Sequence, residues 1–171
     1  LSTSGVVNVV VTDLFSSSSG LSVVSEGEEV VKSLFLEEVG ISVGSRVVQI
    51  HNVIDKSKYE LMPDNINDRA DKSPVRCLEA QAEKEMIEVI DKAKKAGDSV
   101  GGVFEVIATG VPYGLGSYTQ WNNKLQARIS TMMMSINAFK GIEIGSGFKS
   151  ASQFGSKVHD EIGYHDGKFT R

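Results

Sequence analysis

The residues best suited to chemistry lie at 135–141, where Ser135, Ile136, Asn137, Ala138, Phe139, Lys140 and Gly141 run between two apolar-periodic segments. A helix is expected to end here and a strand to begin almost at once. The carboxamide of Asn137 can both donate and accept hydrogen bonds, and the small side chain of Ala138 permits close approach. Such a junction suits the polar edge of a heterocycle, whose carbonyls and nitrogens side-chain amide and backbone groups would read. Taken alone, it is also an ordinary helix C-terminus.

Other groups that could do chemistry are weaker. Gly110, Gly114 and Gly116 invite a phosphate-loop reading, but no Gly-x-x-x-x-Gly-Lys-Ser/Thr string occurs and the spacing is not that of a dinucleotide fold. Glycines that only shape tight turns are the commoner use. His51, His159 and His165 fit no zinc spacing, although Asp160 and Glu161 follow His159. They read as surface histidines, and no metal is assigned. Met132, Met133 and Met134 read as core packing, because their neighbours sit at core spacing. Tyr118 and Trp121 offer aromatic surface that could stack on a ring, though packing as a hydrophobic anchor is commoner. Lys92, Lys94 and Lys95 are explained by the last turn of a helix, where cations complement the dipole.

The elements that must position these residues follow from periodicity. Residues 5–11 are β-branched and apolar enough for a buried strand, and Ser16 to Ser19 with Gly20 read as a flexible connection. Residues 28–39 place Val31, Leu34, Phe35 and Val39 near helical spacing, with Gly40 as a stop. Residues 43–54 predict one strand, and the polar tract 55–73 with Pro63 predicts a long loop. Leu78, Ala82, Met86, Val89, Ile90 and Ala93 then mark a helix closed by Gly97. Residues 100–109 read as a strand, 110–117 as a turn-rich loop, 122–136 as a helix through Leu125, Ile129, Met132, Met133 and Ile136, and 141–145 as a short strand. No solenoid or propeller repeat is present.

Composition bounds the rest. The 171 residues, 40% hydrophobic, fit a single domain, 1–171, with residues 1–30 unassigned. A formal net charge of -4 argues against broad attraction to nucleic acid or to an anionic membrane surface. A small basic pocket for an anion stays open. The single cysteine, Cys77, excludes an internal disulfide framework and reads as inert core, which suits a reducing cytoplasmic setting. No window approaches the length of a membrane helix, and the opening lacks the basic start of a secretory signal. A start without methionine and a stop at Arg171 read as an incomplete polypeptide.

Several strings in order carry a family resemblance: residues 97–103 (Gly-Asp-Ser-Val-Gly-Gly-Val), 110–118 with Pro112, Gly114 and Gly116, 134–145 with Gly147 and Phe148, and Gly155, Ser156, His159, Asp160, Glu161 and Ile162. Together they closely resemble chorismate synthase. The match runs from about Ser73 to Ile162, and more loosely back to Leu34. It implies an α+β fold, the β-α-β sandwich of chorismate synthase type, here incomplete. It also implies an enzyme that eliminates phosphate and a proton from 5-enolpyruvylshikimate 3-phosphate to give chorismate. Reduced FMN is the implied cofactor, NADPH the implied reductant, and a homotetramer the implied assembly. By the same resemblance Asn137 and Ala138 fall on FMN-contacting positions, in agreement with the local reading of that junction.

The departures are equally specific. The family's Gly-Glu-Ser-His, Arg-Pro-Gly-His-Ala-Asp and Ser-Ala-Arg-Glu-Thr segments do not occur. Where the family usually shows Asp-Arg-Lys-Leu-Asp, this chain has Asn122, Asn123, Lys124, Leu125 and Gln126. None of the three histidines occupies a motif position of the family's acid/base histidines, so catalytic residues are unassigned. The alternative reading is a catalytically inactive fragment that retains part of the fold and of the oligomer surface.

Overall fold

The computed structural model describes residues 3–11, 36, 39–57, 63–112, 114–158, 163–165 and 167–170. The expected flexible connection at 16–20 and most of the expected helix at 28–39 lie outside the described residues. Of that helix Leu36 is described: its carbonyl accepts from Val39 and Ile41, and Gly40 stands at φ 77° as the expected stop.

Five strands form one sheet in the order β3-β2-β4-β1-β5, each neighbouring pair antiparallel. They are β1 (Thr3–Val11), β2 (Ser42–Ile50), β3 (Val53–Ile54), β4 (Gly102–Val111) and β5 (Phe139–Ile144). Because β1 is antiparallel to both β4 and β5, those two run parallel on either side of it. A β4-helix-β5 crossover therefore spans a third strand. The strands are rich in valine and isoleucine, whose branched side chains suit a pleated, packed surface.

The predicted strand over 43–54 is instead a hairpin, β2 and β3, turned at His51 and Asn52. The predicted loop over 55–73 contains α1 (Pro63–Ala70). Pro63 misled because proline reads as a breaker; as the first residue of a helix its missing N–H costs nothing. Asn67 in α1 accepts from the Ser45 amide at 3.0 Å and donates to the Val43 carbonyl at 3.1 Å, tying the helix to β2.

α2 (Ala80–Ala96) matches the predicted helix and buries Ala82, Met86 and Ile90. Its stop is Gly97 at φ 68°, whose amide closes on the last carbonyls. The core gathers Val47, Ile50, Val75, Cys77, Met86, Ile90, Val100, Phe104 and Phe139. Phe104 and Phe139 meet edge to face at 5.6 Å, joining β4 to β5 across the intervening strand.

A short 3-10 turn (Trp121–Asn123) precedes α3 (Leu125–Met134), and a second (Gly147–Ser152) precedes α4 (Gly155–Val158). A two-stranded hairpin, β6 (Gly163–His165) and β7 (Lys168–Thr170), follows. Met133 and Ile136 pack against the core, but Met132 is 65% exposed and Met134 also faces outward. The core reading of the methionine run thus holds for one of three, since adjacent residues on a helix point about 100° apart. Gly110 shows why its residue type matters: a Cβ there would lie 2.1 Å from the Gly40 carbonyl oxygen. Two segments pass too closely there for any side chain.

Candidate functional site

The sheet has two ends, and the sequence motifs divide between them. One transverse row runs Ile50, Gly102, Val11, Phe139. Just outside it lie the His51–Asn52 turn, Gly101 and Ala138. The opposite end carries Gly110, the loop at 114–120 and the turn at Gly145. The helix α3 runs between the two ends. Ten residues at 1.5 Å rise put its termini roughly 15 Å apart, so the Tyr118 and Trp121 loop does not share a ligand ring with Asn137.

At the first end, α3 closes with Ser135 donating its hydroxyl to the Met132 carbonyl at 2.6 Å, and the Ile136 amide reaching Met133. The chain reverses through Asn137 and Ala138 into β5. Ala138 adopts φ 70°, a left-handed conformation that L-residues other than glycine enter at a cost. It is half-buried against the core, whereas Asn137 is exposed and its carboxamide has no hydrogen-bond partner among the described residues. A donor-acceptor pair is thereby presented outward on the turn.

Tyr118 and Trp121, read as anchors, are 92% and 81% exposed. The loop bearing them is held by its backbone instead. The Ser117 amide reaches the Asn123 carbonyl at 3.0 Å, and the Ser117 hydroxyl accepts from Thr119 and Gln120. Gly114 and Gly116 take φ 83° and 91°, consistent with turn-shaping glycines.

A charged cluster that the sequence reading missed lies mid-sheet. Buried Arg46 on β2 donates from Nε to Glu105 of β4 at 3.0 Å, and its Nη1 lies 3.0 Å from the Ser57 hydroxyl and 3.4 Å from Asp55. Asp55 also accepts from the amides of Ser57 and Leu78, both at 2.8 Å, and from the Cys77 thiol at 3.3 Å. Burial pushes the Asp55 carboxyl up, but the donors from Ser57, Leu78 and Cys77 outweigh it and hold it below the usual range. For Cys77, burial is the main cause that pushes the thiol up to about 12, so it stays protonated and unreactive. The signal was present: Arg46 and Glu105 are single charges inside valine-rich strands.

Among the described residues no group of three His, Cys, Asp or Glu is placed to hold a metal, and no helix is long and apolar enough to cross a membrane. His51 is exposed, and His159 lies outside the described residues.

Comparison with known proteins decides the family. A family model described as chorismate synthase matches residues 11–170. The chain belongs to the chorismate synthase family. A chorismate synthase of Brevibacillus brevis is 50% identical over 131 residues, covering 77% of this chain and 34% of the relative. A chorismate synthase 2 of Bacillus cereus is 47% identical over 142 residues, covering 82% and 36%. A crystal structure of chorismate synthase superposes with a TM-score of 0.70 at 44% identity, over 79% of this chain and 43% of that one. The chain spans about a third of the length of these curated relatives. The match to chorismate synthase reaches back to residue 11, beyond the Leu34 at which the motif resemblance began.

Proposed function

We propose that the chain forms one wall of a flavin pocket in an enzyme that converts 5-enolpyruvylshikimate 3-phosphate to chorismate. In that 1,4-elimination a C–O bond to phosphate breaks, a C–H bond yields a proton, and a new C=C bond forms, with no net redox change. Reduced FMN, when bound, supplies electron density to this step. Asn137 and the Ala138 backbone would bind and orient the ring edge. The observation that carries the reading is the outward Asn137 carboxamide, without a hydrogen-bond partner among the described residues, beside left-handed Ala138 at a helix-strand junction of a chorismate synthase family chain. NADPH as reductant, a cytoplasmic setting and a homotetramer belong to the same proposal.

The test is FMN binding and phosphate release by the protein under anaerobic, reducing conditions. Asn137→Ala is expected to weaken FMN binding by about 1 to 3 kcal/mol through loss of a polar partner. Unchanged affinity removes Asn137 from the site. FMN binding without phosphate release favours the inactive-fragment reading, which the amides Asn122, Asn123 and Gln126 in place of the family's charged residues support.

A further inference from the structure

The chain between the β2–β3 hairpin and α2 leaves the sheet and returns to the residues it left. At the feet of this excursion Asp55 and Lys56 meet Cys77, Leu78 and Glu79. The Asp55 carboxylate accepts the Leu78 amide at 2.8 Å and the Cys77 thiol at 3.3 Å, and Glu79 Oε2 accepts the Lys56 amide at 3.0 Å. Glu79 is the N-cap of α2, yet its side chain makes no cap bond. Both ties at the feet therefore end on carboxylates. The Glu79 tie is exposed to water, whereas the Asp55 side chain is wholly buried, so Asp55 holds the feet together. The body of the excursion is held in another way: α1 buries Ile66 and Ala70, and it is bound to β2 through Asn67, an amide that does not titrate.

The charged groups around the feet decide what a proton does there. Among the described residues, Arg46 of β2 lies 3.4 Å from Asp55 and 3.0 Å from Glu105 of β4, while Glu79 and Glu83 stand at the entry and in the first turn of α2. A protonated Asp55 no longer offers a charge to Arg46 or to the donors of Ser57, Leu78 and Cys77, and no bulk water reaches the buried site to replace it. We propose that Asp55 is an acid-sensitive latch: its protonation releases residues 77–79 and the start of α2 as a local unit, while the sheet and α1 stay folded. A unit held by few bonds opens at less than the global free energy of unfolding. Because its donors hold the Asp55 carboxyl below the usual range, the latch is closed at neutral pH and opens as pH falls through that lowered value. Cys77, the single cysteine of the chain, is buried inside the latch and reports its opening.

The experiment labels Cys77 with dipyridyl disulfide, which still reacts with thiols in acid, from pH 7 down to about pH 3, below the ordinary carboxylate value. Each rate is divided by that of the urea-unfolded chain at the same pH, and far-UV circular dichroism is recorded on the same samples. The ratio is expected to rise about 10-fold on acidification while the dichroism stays native, within the range for lost hydrogen bonds to a charged group. Asp55→Asn should show the raised ratio already at pH 7 and little further rise. Glu83→Gln, which removes a neighbouring charge but no bond to Asp55, should follow the parent. Labelling that increases only in step with loss of the dichroism signal overturns the latch, as does a folded Asp55→Asn that protects Cys77 as well as the parent does. If Asp55→Asn does not fold, the pH series of the parent decides alone: labelling ahead of unfolding upholds the latch, and labelling with unfolding overturns it.

Discussion

Asp55 is the residue on which several separate segments depend. It takes donors from the chain just after β3, from the segment leading into α2 and from the Cys77 thiol, with Arg46 of β2 beside it. Its carboxyl is held below the usual range, so its contribution is fully present above the unfolded value near pH 4 and is lost as pH falls through the lower folded value. Asp55→Asn is expected to cost about 1 to 3 kcal/mol at pH 7. It should also flatten the acid limb. Urea midpoints from pH 7 to pH 3 measure both, and parallel curves for parent and variant would contradict the assignment. Asn137 and Ala138 were legible as a junction, because a helix period ends and a strand begins there. The left-handed backbone of Ala138 was not, since alanine carries no signal for it. Arg46 and Glu105 were legible only as isolated charges; their pairing depends on strand register.

At the scale of elements, α3 is the least well prepared. It starts at Lys124, which makes no side-chain cap, and it has no acidic residue in its first turn. The family's carboxylates at 122 and 126 are amides here. Lys124→Asp should supply both a cap and a favourable charge at the N-terminus, adding about 0.5 to 2 kcal/mol. A rise in melting temperature of a few degrees is the expected reading. No rise would show that the loop at 117–123 already satisfies those amides. The contrast with α2 explains what periodicity could reveal. α2 has a clean apolar stripe and a glycine stop, and its range was read closely from sequence. α1 is polar along most of its length and held by Asn67, so its helical character rests on tertiary hydrogen bonds that composition does not display.

The whole molecule hangs on β1. Its backbone pairs with β4 on one side and β5 on the other, which places it between two parallel strands. Val9→Pro would remove a donor and misfit both ladders, and proline is found almost solely at sheet edges. A loss exceeding about 3 kcal/mol is expected, read as the absence of a cooperative transition in far-UV circular dichroism. A variant that still unfolds cooperatively would show that the sheet forms without β1 bridging β4 and β5. A strand was legible in these residues; its interior place between β4 and β5 was not, because strand order depends on partners more than ninety residues away.

That separation has a consequence for how the protein is made. Val11 pairs with Gly102 and Phe139. At a synthesis rate of about 5 to 20 residues per second, the valine-rich first strand leaves the ribosome roughly 5 to 18 seconds before its earlier partner exists. Throughout that interval its hydrogen-bonding edges are open to other nascent chains. The family motifs are written at residues 73–162, but the hazard during synthesis lies in β1.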